Sequence, residues 1–166
     1  NRHSIAVLNG NESEEELYQL GLDVFEYFGL GCRNVSMIWI PKDYKYETLL
    51  KAWKPFEKLM MFHSYKNNLD YQRTIYLMNG TIIVDCDFVN LIEVNAIASA
   101  ISCVNLVHYE NETEINDWLK IHDEEIQCVV NFDKFERNVS FGEAQAPELN
   151  DYADGIDTMQ FLIELK

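Results

Sequence analysis

Five Asn-x-Ser/Thr triplets, at Asn11, Asn34, Asn79, Asn111 and Asn138, are the most distinctive chemical signal in the chain. With 15 Asn and 12 Ser plus Thr among 166 residues, chance placement gives roughly one such triplet, so the excess is real. Each is an N-glycan acceptor where the chain passes through the secretory pathway and the Asn is exposed. Four cysteines, Cys32, Cys86, Cys103 and Cys128, fit the same compartment. Their number is even and no pair forms Cys-x-x-Cys, which disfavours zinc and thiol-redox chemistry. An oxidising compartment would pair them as one or two structural disulfides. A reducing one would leave them as small buried residues.

Other reactive groups are scattered. His3, His63, His108 and His122 lie far apart, and His63 and His108 fall on or beside predicted strands, where a structural role is the ordinary one. No Ser or Cys has a neighbour in sequence that signals nucleophilic catalysis, although such partners need not be local. There is no Gly-x-Ser-x-Gly, phosphate loop, dinucleotide fingerprint or His-Glu-x-x-His. Asp151, Asp154 and Asp157 recur around Gly155. They lack the alternating ligands and terminal Glu of a calcium loop and read as an exposed acidic segment. These residues therefore predict no catalytic, cofactor or metal site.

The elements that carry them alternate. Ser4–Leu8 is an apolar strand. Ser13-Glu14-Glu15-Glu16 is a capping box opening a helix with Leu17, Leu20, Val24 and Phe28 on one face, ended by Gly29 and Gly31. Val35–Ile40 is a strand, Tyr44–Lys54 a helix stopped by Pro55, and Leu59–His63 a strand. Tyr71–Met78 and Thr81–Cys86 flank Asn79-Gly80, a type I′ hairpin signal. A helix over Phe88–Ser102, a strand over Leu106–Tyr109, a helix capped by Thr113, a strand over Cys128–Phe132, an acidic loop over Lys134–Asp157 and a strand over Met159–Leu165 follow. Trp53 and Trp118 fall among leucines on helix faces and belong to the core.

This order predicts an α/β fold, a layered mixed sheet with helices packed on it, in one domain over 1–166. Residues 1–78 and 79–166 are candidate repeats of βαβαββ form. Cys32-Arg33-Asn34-Val35 resembles Cys103-Val104-Asn105-Leu106, and Gln72-x-x-Ile75-x-Leu77 resembles Gln160-x-x-Ile163-x-Leu165. With Cys103 ending one helix and Cys128 opening the next strand, both fall at one sheet edge, and Cys103–Cys128 is the predicted disulfide. Cys86 lies a helix length away from Cys103, about 25 Å.

Net charge is −15, and 48% of residues are hydrophobic and 13% aromatic. That apolar mass fills a core and excludes disorder. The acidity excludes nucleic acid and adsorption to anionic membranes. There is no signal peptide and no apolar run of 18 residues. The first residue is Asn. A mature or excised ectodomain, separated from a leader or membrane anchor, is expected.

From Thr81 onward the pattern resembles the extracellular region of A-subclass ABC lipid transporters. Thr81-Ile-Ile-Val84, Asn105-Leu-Val-His108, Thr113-Glu-Ile-Asn-Asp-Trp118, Cys128-Val-Val-Asn-Phe132 and Met159-Gln-Phe-Leu-Ile163 carry the resemblance. Glu164 departs from it, since the family's closing strand carries a basic residue. The resemblance implies a lipid-moving or lipid-presenting glycoprotein whose ATP-binding machinery lies elsewhere. The strand–Asn79-Gly80–strand–helix order from Thr74 to Ser102 is similar to the end of a thioredoxin-like domain. It lacks the Cys-x-x-Cys and the proline before Thr74, which implies a non-redox lumenal module. The function expected is a non-enzymatic ectodomain of a secretory-pathway glycoprotein that binds a protein or lipid. The alternative is a lumenal hydrolase or transferase using carboxylate acid–base catalysis.

Overall fold

The computed structural model describes residues 2–149, 151–152 and 156–165. Among these, seven strands and five helices alternate as β1 (His3–Val7), α1 (Glu14–Phe25), β2 (Val35–Pro41), α2 (Tyr46–Trp53), α3 (His63–Met78), β3 (Ile83–Cys86), β4 (Val89–Glu93), β5 (Cys103–Tyr109), α4 (Glu112–His122), β6 (Ile126–Val130), β7 (Asn138–Val139) and α5 (Thr158–Glu164). The strands make one sheet in the order β3-β4-β5-β2-β1-β6-β7. All neighbours are parallel except the β3–β4 hairpin. The fold is α/β, a mostly parallel sheet with helices on it.

Both sheet faces are covered, which explains why the central strands read as unbroken apolar runs rather than alternating ones. Ala6, Leu8, Ile38 and Ile40 pack with α1, α2 and Trp53 on one side. Ile5, Val7, Met37 and Trp39 pack with Ile115 and Leu119 of α4 on the other. The Ser13–Glu16 capping box is present at the start of α1. At α4 the cap is Asn111, whose side chain accepts from the N–H groups of Thr113 and Glu114, two residues before the expected Thr113 cap. Gly21 lets α1 approach the 3₁₀ segment Lys54–Met61. A Cβ on it would sit 2.3 Å from the Phe56 ring. Phe56 is itself held between Tyr18 and Phe25. Gly21→Ala is therefore expected to destabilise by about 1–3 kcal/mol in urea denaturation, despite alanine's better helix propensity.

Several elements differ from the sequence expectation. Leu59–His63 is the end of that 3₁₀ segment and the start of α3. Tyr71–Met78 belongs to α3. The Asn79-Gly80 pair closes α3 rather than a hairpin: Gly80 has φ +70, its N–H bonds Leu77 O, and the Thr81 N–H reaches back to Tyr76 O. That is the Schellman geometry, which uses the same left-handed glycine that a type I′ turn requires. Phe88–Ser102 holds β4 and an extended connection, not a helix. Met159–Leu165 falls in α5, with Asp157 as its cap. Residues 1–78 run β-α-β-α-α and 79–166 run β-β-β-α-β-β-α among the described residues, so one βαβαββ pattern is not carried twice.

The Cys103–Cys128 disulfide is overturned. Cys103 opens β5 and Cys128 lies in β6, with β2 and β1 between them. Three strand spacings amount to about 14 Å, beyond disulfide reach. Both are unpaired thiols. Cys128 Sγ sits 3.1 Å from Ser4 Oγ, and Cys103 Sγ faces the Asn90 amide. Burial pushes both thiols up, Cys103 to about 11. No helix among the described residues is long and apolar enough to cross a membrane.

Candidate functional site

Because β1, β2, β5 and β6 run parallel, the segments that lead into them converge on one edge of the sheet. Between them opens a cleft of about 820 Å³, lined by His3, Cys32, Asn34, Ser36, Ser99 and Glu125 among others. Cys32 is the exposed thiol of this edge.

Its loop is built from strained backbone. After α1 the chain turns through Tyr27 at φ 51, ψ 27 and Phe28 at φ 60, ψ 22, then Gly29 at φ 73. Two consecutive aromatic residues in the left-handed region cost on the order of 1–3 kcal/mol each and persist only where surroundings enforce them. Phe28 is anchored edge-on against Phe62 at 5.1 Å and also meets Tyr65. The loop's far end is tied down three ways. Ser4 Oγ donates to Cys32 O at 3.0 Å. Arg33 Nε donates to Ala144 O. The Asn34 side chain is 2% exposed and bonded on both its oxygen and its nitrogen. His3 shares the cleft. Burial pushes its imidazole below the ordinary value, and Glu125 pulls partly the other way. A neutral imidazole accepts a proton.

The predicted glycan acceptors scatter, and Asn34 cannot be one. Its amide nitrogen is sealed inside the fold by hydrogen bonds. Asn138 is half-buried and accepts from Phe132 N while donating to Asp133. Asn111 is occupied as a helix cap, and Asn11 and Asn79 are exposed. Asp151 pairs with Arg33 and Asp157 caps α5, while Asp154 and Gly155 lie outside the described residues. No group of three or more metal-ligating side chains occurs among the described residues. Sequence reasoning misses Cys32. The one available signal is Gly29-Leu30-Gly31-Cys32, in which both glycines read equally well as helix stops.

The chain matches no known protein-family model and no curated protein. Among solved structures it is similar to an oxidoreductase from Marinobacter aquaeolei, with TM-score 0.56 and 11% identity over 89% of this chain and 39% of that one. It also matches an aldehyde dehydrogenase from Mycobacterium tuberculosis complexed with NAD+ (TM-score 0.49, 11% identity, 78% of this chain and 34% of that one). A third match is an NADP-dependent glyceraldehyde-3-phosphate dehydrogenase from Bacillus halodurans C-125 (TM-score 0.49, 10% identity, 88% and 35%). The likeness to the Marinobacter structure, at 11% identity, is one of fold, a Rossmann-like α/β class. The chain spans well under half the length of these neighbours. With Cys103 and Cys128 unpaired on separated strands and Asn34 sealed, the expected disulfide bond and the Asn34 glycan acceptor are corrected.

Folds of this class bind dinucleotide phosphates at the carboxyl edge, on a glycine-rich turn opening a helix. The β1–α1 turn here does not fit that group. It is Asn9-Gly10-Asn11-Glu12, and the Glu12 carboxylate already accepts from Asn9 N and Gly10 N. Glu14, Glu15 and Glu16 fill the first turn of α1, and Glu112 and Glu114 that of α4. These carboxylates repel phosphate from the positive helix ends. The Cys32 cleft lies at the opposite, amino edge.

Proposed function

We propose that this chain carries a nucleophile that attacks a carbonyl substrate in acyl transfer, with Cys32 as the attacking thiol. The observation that carries this reading is an exposed cysteine on a strained loop, lining an open cleft that His3 also lines. Reactive cysteines, including those of dehydrogenases, sit in accessible microenvironments, whereas buried ones are inert. Cys103 and Cys128 answer the second description.

The step is nucleophilic addition. The Cys32 thiol loses its proton to a base, for which His3 is the candidate. Sγ forms a bond to the carbonyl carbon, and the carbonyl π pair moves onto oxygen. With an activated ester, that oxyanion collapses, expels the alkoxide or phenolate, and leaves a thioester on Cys32. The test is acylation of the full-length protein with p-nitrophenyl acetate, read by intact mass and peptide mapping. One acetyl group on Cys32, absent in Cys32→Ala, is expected. Acetylation elsewhere, or equal acetylation of the variant, overturns the reading.

A second reading keeps the expectation of a protein partner. It is favoured by the exposed Met61, Tyr71, Leu77 and Met78 on and beside α3, and by Met159, Phe161, Leu162 and Ile163 on α5. A helix exposing that much apolar surface marks a contact face.

A further inference from the structure

We infer that the occupant of the exposed α3 and α5 faces is a second copy of this chain, with α5 of each copy seated on α3 of the other, an inference that rests on the contact-face reading given above. The physical problem begins with α5. It is 7 residues long and buries none of its side chains. Met159, Phe161, Leu162, Ile163 and the adjoining Leu165 are each between 54% and 66% exposed and take up most of its circumference. Helices shorter than about 12–15 residues are marginal in water and draw their stability from packing an apolar face. A helix with so wide an apolar face belongs against another surface.

The surface that answers it lies on α3. Tyr65 and Leu69 close the inward side of that helix. Tyr71, Ile75 and Met78, spaced i, i+4 and i+7, form an apolar stripe directed away from the core, 61%, 36% and 79% exposed. In one protomer α5 leaves this stripe open, and the stripe leaves α5 open. Charge says which molecule covers them. Residues 1–41 sum to −4, 42–78 to +3 and 79–166 to −14. The basic stretch ends with α3, where Lys58 and Lys66 are exposed and in no ion pair among the described residues. The acidic stretch ends with α5, led in by Glu148, Asp151 and Asp157. At −15 per chain, two copies repel each other in most orientations. The orientation that sets the basic stretch of each copy against the acidic C-terminal stretch of the other is attractive, and a twofold axis makes the match twice. An unrelated partner would need both an acidic apolar helix and a basic apolar stripe, and a second copy carries each. One exchange covers roughly 900 Å² of α5 and α3 together, and the pair about 1,800 Å², the size of a specific dimer.

The test is sedimentation equilibrium of the full 166-residue chain from about 1 to 200 µM, a range suited to an interface of this size, with hydrogen exchange of α5 read in parallel. Wild type is expected to pass reversibly from 19.4 kDa to twice that mass. Met78→Glu on α3 and Phe161→Ser on α5, both at exposed positions, are each expected to raise the dissociation constant about 30-fold. Lys58→Glu/Lys66→Glu is expected to raise it about 10-fold. Mixed in equal amounts, the Met78→Glu and Phe161→Ser proteins are expected to associate about 10-fold more tightly than either alone. The mixed dimer keeps one intact exchange, α5 of the first on α3 of the second. Dimerisation that survives these changes overturns the inference, and so does a mixture no tighter than its components. A wild-type monomer whose α5 amides exchange freely overturns the second copy as occupant and leaves the contact-face reading standing. A monomer whose α5 amides are protected means that α5 folds back on its own chain, and the contact-face reading then falls with the inference.

Discussion

Truncating Trp53 to alanine is expected to cost about 3–5 kcal/mol, measured by urea denaturation. Trp53 is fully buried at the end of α2, where three elements meet. Its Nε1 donates to Leu17 O of α1 at 2.8 Å. Its ring meets Phe25 edge-on at 5.0 Å, and Phe25 in turn packs on Phe56 and Phe88. Removing the indole opens a cavity at the centre of this aromatic cluster and takes away the second donor to the Leu17 carbonyl, which keeps its helical bond. With domains stable by only about 5–15 kcal/mol, the variant sits near the folding threshold. Trp53→Phe, which refills most of the volume but not the hydrogen bond, is expected to cost less than half as much. Equal losses for the two variants would mean that the hydrogen bond, not the packing, dominates.

The second large effect lies at Asp23, a fully buried carboxylate near the end of α1. Its Oδ2 accepts from Gly142 N at 2.7 Å and its Oδ1 from Ala144 N at 2.9 Å, clasping the 140–146 segment onto the helix. Burial pushes its pKa up to about 6, against the two N–H bonds that favour the charged form, and Glu26 and Glu143 add to the rise. Between the ordinary value of 3.8 and about 6, the folded chain keeps a proton that the unfolded chain releases. The stability this group contributes is therefore full at low pH and is lost as pH rises through about 6. Asp23→Ala orphans two buried N–H groups and is expected to cost about 2–4 kcal/mol at pH 5. Because only wild type carries the charge penalty, that difference is expected to narrow by about 1–2 kcal/mol at pH 8. Denaturation curves at the two pH values check this, and a difference that widens with pH would show that the charged clasp is the stabilising one.

Much of the core is legible in short stretches of sequence. Apolar strands bounded by Asn-Gly or Pro, the Ser13 capping box and the α1 face of Leu17, Leu20 and Val24 are local signals, and the chain obeys them. Misreadings gather where one pattern serves two structures. Asn79-Gly80 suits a hairpin or a helix end, because both need a left-handed glycine. The Gln-x-x-Ile-x-Leu runs at 72 and 160 fit a strand or one face of a helix, and both lie in helices, α3 and α5. Phe88–Ser102 reads as a helix because β4 is buried on both faces and shows no alternation.

The likeness of Cys32-Arg33-Asn34-Val35 to Cys103-Val104-Asn105-Leu106 marks the boundary most clearly. By itself the sequence determined an α/β order, its apolar core and the pairing of each of these cysteines with an asparagine two residues on. The tertiary structure decided what those asparagines do. Asn34 gathers the carbonyls ending α1, and Asn105 gathers Ala96 O and Ala98 O before β5. It also decided the fates of the cysteines. Strand order sets Cys103 and Cys128 apart across two intervening strands, and the same order turns the Cys32 loop into the wall of a cleft. Hydrophobic spacing selects elements locally, but which strand lies beside which is set by the packing of the whole sheet, and it is strand adjacency that brings reactive groups together or keeps them apart.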